Sequence, residues 1–163
     1  MARNGPERNY MKGRNYTAVT SEEGKVFFDS NILVYFVDER DPEKQNIAKE
    51  LIADAAQKQN GMISTQSLQE FYNVTTKKLK CPKDKAKELV KMFSELFPVT
   101  QISIPLILQA IDISIKDGFS FWDSLILSTA NDTGCILVYS EDMNNGQIIG
   151  GTKILNPFQV VAA

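Results

Sequence analysis

Four acidic residues stand where a buried strand is predicted to end or a helix to begin. They are Asp29 in FFDSN, Glu70 in STQSLQE, Asp123 in SFWDSL and Asp142 in VYSED. Carboxylates held within a few ångströms of one another repel, so one of them is expected to keep a proton unless a cation lies between them. Oxygen ligands favour Mg²⁺ or Mn²⁺ over Zn²⁺, and the chain contains no His. The pattern therefore predicts a divalent cation site, provided that the fold brings the four segments together.

Each acid also has a purely structural interpretation. Ser67 and Ser120 each precede an acid by three residues, which is the spacing of a capping box at the start of a helix. Asp142 fits a turn with the NNG that follows it closely. Asp29 is the hardest to explain in this way, because it lies between the apolar runs VFF and ILVYF, where an unpaired carboxylate is costly.

The composition excludes several kinds of catalytic site. A chain of 163 residues without His has no Ser-His-Asp triad, no Cys-His pair and no HExxH zinc site. The two cysteines, Cys81 and Cys135, lack zinc-ligand spacing, and Cys135 within CILVY is expected to be a small buried apolar residue. Unpaired thiols, no visible secretory leader and no apolar run near the roughly 20 residues of a membrane span favour a cytoplasmic protein.

The elements that must position the acids alternate between strands and helices. Strands are predicted at VFF (26–28), MIS (62–64), VTQIS (99–103), CILVY (135–139) and KIL (153–155). Helices are predicted over ILVYF, from Asp41-Pro42 to Asn60-Gly61, from Ser67, from Pro82, over 105–117 and over 120–133, with stops at Gly118 and Gly134. This alternation predicts an α/β fold with a parallel sheet covered on both faces, in which ligands bind beyond the carboxyl ends of the strands. Residues 1–24 are interpreted as a polar tail and residues 25–163 as a single domain.

The ordered set of segments around the acids resembles the PIN-domain family of metal-dependent ribonucleases, most nearly the VapC-like toxins of bacterial type II toxin–antitoxin pairs. The segments are KVFFDSNILVYF, ISTQSLQEFYNV, GFSFWDSLILSTANDTGC, ILVYSEDMNNGQ and the closing ILNPF. The resemblance extends from Lys25 to about Phe158, and it implies a three-layer α/β/α fold. It also implies an endoribonuclease with Mg²⁺ or Mn²⁺ as cofactor, RNA as substrate and a small antitoxin protein as partner, and it leaves a homodimer open.

The same resemblance implies a pocket of four carboxylates, from Asp29, Glu70, Asp123 and Asp142. Asp29, Asp123 and Asp142 would hold the ion, and Glu70 would complete its shell or orient the attacking water. Because Glu141 and Asp142 are adjacent, either of them could supply the fourth carboxylate. The residues that match supporting positions are Asn31, Ser140 and Glu141.

A lysine-rich segment, residues 77–91, carries seven lysines against two acids. Its lysines are candidates for contacts with the RNA backbone, which give affinity but no sequence choice. The candidates are Lys77, Lys78, Lys83 and Lys87. An ordinary solvated helix face explains them equally well. The aromatic residues Phe71, Tyr72 and Trp122 could stack on bases, but core packing is the expected role for each.

Two other functions compete with the ribonuclease interpretation. A catalytically idle PIN-like module would keep Asp29 and Asp123 as caps and turns, and would bind only protein or RNA. A phosphotransfer enzyme would use Asp29 as a nucleophile, but the haloacid-dehalogenase-like pattern requires a second Asp two residues later, where this chain has Asn31. Such an enzyme would also accumulate a phospho-aspartate, which distinguishes it from a metal-dependent hydrolase.

Overall fold

The computed structural model describes residues 24–159, and its centre is a six-stranded sheet in the order β3-β2-β1-β4-β6-β5. The strands are β1 (Lys25–Phe28), β2 (Gly61–Ser64), β3 (Val99–Thr100), β4 (Cys135–Tyr139), β5 (Ile148–Ile149) and β6 (Thr152–Leu155). All neighbouring strands are parallel except β5, which runs antiparallel to β6. The parallel α/β sheet predicted from the sequence is confirmed, although β3 is shorter than VTQIS.

Strand β5 was not predicted from the sequence. Gly150 and Gly151 join β5 to β6 with φ values of 57° and 92°, a backbone that only glycine adopts without strain. A pair of glycines between two short apolar segments is a signal for a two-residue hairpin. The antiparallel strand therefore follows from the Gly-Gly turn, and it caps one edge of the sheet.

Six helices connect the strands in the described part of the chain. They are α1 (Ser30–Val37), α2 (Pro42–Lys58), α3 (Thr65–Lys77), α4 (Lys83–Leu96), α5 (Ile104–Asp117) and α6 (Phe121–Asp132). The predicted helix starts at Asp41-Pro42 and Pro82 and the stop at Gly118 are confirmed. The predicted stop of α2 at Asn60-Gly61 is displaced, because Gln59 already turns the backbone left-handed at φ 55°. Gly61 instead opens β2, where a Cβ would collide with the ring of Phe97.

The helices cover both faces of the sheet in three layers. Val26 and Phe28 of β1 point into the larger core, which is filled by apolar residues of α1, α2, α3 and α4. Phe27 points to the opposite face and packs with Ile126 and Leu127 of α6. Helix α5 packs outside α6. The predicted coverage of both faces is confirmed, and Cys135 is buried as expected.

The sheet order brings three of the acid-bearing segments to one edge. Strand β1 lies between β2 and β4, and all three are parallel, so their carboxyl ends open on the same side. Helices α1 and α3 begin at that edge, directly after β1 and β2. Helix α6 leads into β4, so its first turn also starts near that edge.

Two further expectations concern the rest of the chain. No helix among residues 24–159 is both long and apolar enough to cross a membrane. The predicted polar tail, residues 1–24, lies outside the described residues apart from Gly24. The last four residues of the predicted domain, 160–163, also lie outside them.

Candidate functional site

Asp29 directly follows β1 and caps α1, and the residue is only 5% exposed. Its carboxylate accepts hydrogen bonds from the backbone N–H of Ser30 at 2.7 Å and from Ser140 Oγ at 2.8 Å. Asn31 Nδ2 donates a third, longer bond at 3.3 Å. The pKa of Asp29 is raised to about 7, mainly by burial and also by the carboxylates of Glu70 and Asp123, against the lowering effect of the hydrogen bonds from Ser140 and Ser30. The molecule therefore holds a proton-retaining carboxyl group at the centre of its sheet edge.

Glu70 reaches this group through a serine hydroxyl. Ser30 Oγ donates to Glu70 Oε2 at 2.7 Å and lies 3.5 Å from Asp29 Oδ1. The other carboxylate oxygen of Glu70 accepts from Gln66 Nε2 at 2.9 Å. Gln66 also donates to the backbone carbonyl of Trp122 at 3.0 Å, which links α3 to the first turn of α6.

The predicted helix start at Ser67 was wrong, and the alternative interpretation of Glu70 as the acid of a capping box does not apply. The helix begins one turn earlier, because Ser64 leaves β2 with an extended backbone and its hydroxyl accepts from the N–H of Ser67. Ser67 completes that capping box from the third helical position. Glu70 lies a turn further along, so it has no capping role.

Asp123 lies in the first turn of α6, where Ser120 Oγ accepts from its backbone N–H at 3.1 Å. Its side chain is half-buried, and burial raises its pKa. The carboxylates of Asp142 and Glu70 raise the pKa of Asp123 further, whereas a hydrogen bond with Ser120 lowers it. Asp123 is thus hydrogen-bonded to the N-cap residue of α6, and it also interacts electrostatically with two of the other predicted site acids.

The loop after β4 turns Glu141 and Asp142 in different directions. Asp142 Oδ2 accepts from Asn31 Nδ2 at 3.1 Å, and Asn31 Oδ1 accepts from the backbone N–H of Glu141 at 3.3 Å. The carboxylate of Glu141 instead forms an ion pair with Lys44. Because Asn31 bonds to both Asp29 and Asp142, one amide joins the β1 and β4 segments of the site. Of the two adjacent acids, Asp142 is the one directed to the other carboxylates.

A cleft of about 410 Å³ lies beside the site; Glu70 and Asp142 line it, whereas Asp29 and Asp123 are not among its lining residues. One part of its wall carries the polar groups of the site, Ser30, Asn31, Glu70, Glu141 and Asp142. Arg40, Asn73 and Lys78 also line it, so cations share the wall with the acids. Of the four lysines predicted to contact RNA, Lys78 faces this cleft. Lys77, Lys83 and Lys87 lie on the exposed surface.

The oxygen atoms of the site are of the type that binds a hard divalent cation, but they are not arranged closely enough to enclose one. In the described range, no three acidic or sulfur-bearing side chains are grouped closely enough to enclose a metal ion. The side chains around Asp29 offer carboxylate, hydroxyl and amide oxygens, and neighbouring carboxylates contribute to the raised pKa values of Asp29 and Asp123. Gln66 Oε1, beside Glu70, is buried without a hydrogen-bond partner among residues 24–159. A cation with its water shell would relieve both the repulsion and the unsatisfied oxygen.

The predicted core roles of the three aromatic residues are confirmed for one and wrong for two. Phe71 is fully buried and contacts Phe93. Tyr72 is 37% exposed and Trp122 is 62% exposed. Tyr72 lies on the solvent side of α3, and Trp122 precedes the first buried residues of α6, so neither position faces the core.

Three residues of the site were not predicted from the sequence: Ser30, Gln66 and Lys44. Gln66 precedes Glu70 by one helical turn, a spacing at which side chains meet, and that was the available signal. Ser30 and Lys44 act through contacts with residues distant in sequence, Glu70 and Glu141. No local pattern marks such contacts.

Solved structures similar to this chain include the following three. VapC20 of Mycobacterium tuberculosis, described as a sarcin–ricin-loop-cleaving toxin, has a TM-score of 0.60 and 18% identity, covering 72% of this chain and 90% of that chain. DNA-bound VapBC of Salmonella typhimurium has a TM-score of 0.60 and 17% identity, covering 80% and 96% of the two chains. A toxin–antitoxin complex of Klebsiella pneumoniae has a TM-score of 0.60 and 18% identity, covering 83% and 100%. At these identities the likeness shows the fold, which is the PIN-like fold expected from the sequence.

A search of curated proteins found no match. The family model of the PIN domain matches residues 26–145, which include all four predicted site acids and the strands and helices that carry them. The chain therefore belongs to the PIN-domain family.

Proposed function

We propose that this protein is a Mg²⁺- or Mn²⁺-dependent endoribonuclease, the toxin of a toxin–antitoxin pair. Nucleases of the PIN-domain family are generally metal-dependent, and the similar structures are VapC toxins and their complexes. The observation that carries the proposal is the hydrogen-bond path from buried Asp29 to Glu70 through Ser30 and to Asp142 through Asn31. This path supports a single carboxylate pocket.

Asp29, Asp123 and Asp142 would hold the cation, directly or through water, with Glu70 beside them. When bound, the cation would lower the pKa of a water molecule and neutralise charge developing on the phosphate oxygens. Asn31 and Ser140 would keep Asp29 and Asp142 oriented through the hydrogen bonds described above. Ser30 would fix the rotamer of Glu70, which would then accept a hydrogen bond from the attacking water.

The cleft also fits an anionic substrate. Lys78 and Arg40 share its wall with the acids, so a phosphodiester would meet cationic side chains at one part and the carboxylate pocket at another. Contacts of this kind favour the nucleic-acid backbone without choosing a sequence. Exposed Trp122, in the first turn of the helix that carries Asp123, is available to stack on a base.

The test compares Asp29→Asn and Asp123→Asn with Asp112→Asn, an exposed acid on α5, in cleavage of single-stranded RNA. Both site variants are expected to lose more than about 100-fold in cleavage activity, which exceeds the roughly 10–100-fold cost of removing a supporting contact. The control variant is expected to retain wild-type activity. A chelator should abolish cleavage by the wild-type protein. Full activity of Asp29→Asn, or cleavage insensitive to chelation, would refute the assignment.

A catalytically idle binding module is the second candidate. The absence, among the described residues, of three acids close enough to enclose an ion favours it. Such a module would bind RNA without cutting it, and Mn²⁺ would leave its melting temperature unchanged. An enzyme whose native state binds Mn²⁺ would gain about 2.7 kcal/mol of stability when the ion is present at 100 times its dissociation constant.

A small antitoxin protein and a second copy of the chain are the proposed protein partners. The Salmonella and Klebsiella relatives were crystallised as toxin–antitoxin assemblies. The exposed apolar side chains of α5, which include Ile104, Leu108 and Ile115, support a protein–protein contact by this chain as well. Co-expression with the product of an adjacent small open reading frame tests the antitoxin: it should relieve growth inhibition and copurify with the chain.

A further inference from the structure

A second cavity, of about 350 Å³, adjoins the acidic cleft and has no part in the proposed reaction. It lies between the end of α1 and the turn that joins α3 to α4. Asp38 and Arg40 belong to the walls of both cavities, so this pair forms the ridge between them. Its volume lies near the lower end of the range for small-molecule sites, which starts at about 300 Å³, and suits a group of the size of one nucleotide.

The walls of this cavity combine cations with an apolar surface. Arg40, Lys80 and Lys85 line it, together with the apolar side chains of Val37, Leu79 and Leu89. A phosphate group can pair with the cationic side chains, and the flat face of a base can pack against the apolar side chains.

The acids in the wall do not cancel this charge. Asp38 accepts two bonds from Arg40, from Nε and from Nη2, both at 2.8 Å, and its side chain is only 7% exposed. Arg40 itself is 69% exposed, and the guanidinium group has five N–H donors in all. Glu39 is the other acid of the wall, against Lys80 and Lys85. The lysine-rich segment 77–91 supplies further positive charge around it.

The turn that forms the cavity holds a lysine in an unfavourable backbone conformation. Lys80 has φ 55°, in the left-handed region that favours glycine. The next residue is tied down, since the N–H of Cys81 donates to the carbonyl of Thr75 at 3.0 Å. A cationic side chain is thus displayed beside the cavity at a position where glycine would be less strained.

We propose that this second cavity binds the nucleotide of a single-stranded RNA that neighbours the phosphodiester in the acidic cleft. Lys80, Lys85 and the exposed part of Arg40 hold its phosphate, and Leu79 and Leu89 pack on its base. The inference rests on the proposed function, because that function places the cleaved phosphodiester in the acidic cleft. The RNA would then cross the Arg40–Asp38 ridge to reach the second cavity. The inference assigns the contact with this neighbouring nucleotide to Lys80 and Lys85 rather than to the whole lysine-rich segment.

Cys81 provides a probe inside this cavity. Its thiol is half-buried in the cavity wall, whereas Cys135 is buried in the core, so alkylation of the native protein is directed to Cys81. With a short 2′-O-methyl oligouridylate in metal-free buffer, alkylation of Cys81 should slow several-fold. Protein already alkylated at Cys81 should bind the oligonucleotide more weakly. An alkylation rate that the oligonucleotide leaves unchanged at saturation would overturn the proposal.

The lysines are tested by a charge-matched pair of double variants. Lys80→Ser with Lys85→Ser should weaken oligouridylate binding and flatten its salt dependence by about 0.7 in log–log slope for each lost contact. The control removes two exposed lysines elsewhere, Lys49 on α2 and Lys116 on α5, by the same substitution. Equal effects of the two double variants would show a diffuse charge effect and overturn the specific site.

These measurements separate the cavity from the catalytic assignment, because neither needs cleavage. Normal RNA cleavage together with unprotected Cys81 would overturn the cavity proposal and leave the proposed function intact. Protected Cys81 without any cleavage would support the cavity and refute the nuclease. Protection by polyglutamate in place of the oligonucleotide would identify an acidic protein segment as the occupant and overturn the RNA proposal.

Discussion

The carboxylate of Asp29 has two structural roles at once. It accepts the first backbone N–H of α1, and it is bonded to Ser140 and, through Ser30, connected to Glu70. A capping role requires only one acceptor oxygen at the end of a helix. The burial of the whole group, with other carboxylates near it, is not explained by capping, since a neutral Ser or Asn would cap without that cost.

The first prediction concerns Asp29 and pH in metal-free buffer. Because its pKa is about 7 in the native state against an ordinary value of 3.8, the native state holds a proton that the unfolded chain releases. The free energy of unfolding therefore decreases by at most about 4 kcal/mol as pH rises from about 4 to about 7. Below about pH 4 the carboxyl group is protonated in both states, so Asp29 adds no further pH dependence.

Asp29→Asn removes this ionisation and keeps the cap. The melting temperature of the variant, minus that of the wild type, should therefore increase between about pH 4 and pH 8. Asp112→Asn, at an exposed position, should show no such trend. A difference that stays constant with pH, or shrinks, would contradict the burial of an ionisable carboxyl group at this position.

The second prediction concerns the ion pair that holds the loop after β4. Lys44 contacts the carboxylate of Glu141 and the hydroxyl of Tyr35, and its ammonium lies 4.8 Å from the ring centroid of Tyr35 and 5.4 Å from that of Phe158. The hydrogen bond to Glu141 raises the pKa of Lys44. The pair anchors Glu141, and because Glu141 directly precedes Asp142 we expect it to help position Asp142.

Glu141→Gln should lower RNA cleavage about 10–100-fold, the usual cost of losing a supporting contact, while changing stability by about 1 kcal/mol or less. The control is Asp54→Asn, which breaks the partly exposed Lys58–Asp54 pair on α2, away from the cleft. If both variants cleave RNA at the wild-type rate, Glu141 has no positioning role.

At the level of the elements, the position of Glu70 depends on where α3 begins. The capping box of Ser64 and Ser67 starts the helix at Thr65 and leaves Glu70 one turn along, facing Ser30. The sequence contains two candidate boxes in this segment, and the choice between them depends on where β2 stops pairing with β1. The end of that pairing is set by tertiary contacts, so it cannot be predicted from the spacing of serines and acids in the sequence.

The third prediction tests this start. Ser64→Ala should destabilise the protein by about 0.5–2 kcal/mol, as loss of an N-cap does, and should also reduce cleavage because Glu70 is displaced. Ser94→Ala on α4 removes an exposed hydroxyl that bonds only to a carbonyl in its own helix at 2.7 Å, and should do neither. Chemical denaturation and the RNA assay measure the two effects. Equal stability of both variants would contradict the capping role.

Most elements could be predicted because they carry their own local signals. Asp41-Pro42 and Gly118 mark ends by backbone chemistry, and CILVY marks a buried strand by its length and its run of apolar side chains. The exposure of Trp122 could not be predicted in this way. The exposure of Trp122 depends on where the buried face of α6 begins, and the apolar character of the side chain does not indicate that position.

For the whole molecule, α5 is the element with an unexplained surface. Its inner side packs on α6 through Leu106 and Ala110. Its outer side exposes Ile104, Leu108, Ile111 and Ile115, which are 68%, 57%, 39% and 79% exposed. The spacing of four, three and four residues is that of a seam between two helices. A helix that is apolar on both sides is expected to be covered.

The fourth prediction is that the purified chain forms a dimer through this seam. Leu108→Lys with Ile115→Lys should give monomers in light scattering after size-exclusion chromatography, because two charges would be buried without partners. Ile148→Lys, at an equally exposed isoleucine on β5, should leave the dimer intact. A wild-type chain that is monomeric at micromolar concentration would contradict the prediction.

The double role of Asp29 restricts how this protein could lose its chemistry. A substitution at Glu70 would remove charge and leave every described helix start in place, because Glu70 has no capping role. Position 29 has no such freedom, because α1 needs a short side chain with an oxygen there to close its first turn. A relative that lacks the proposed hydrolysis is therefore expected to carry asparagine or serine at this position, and that residue would distinguish an inactive relative from a nuclease.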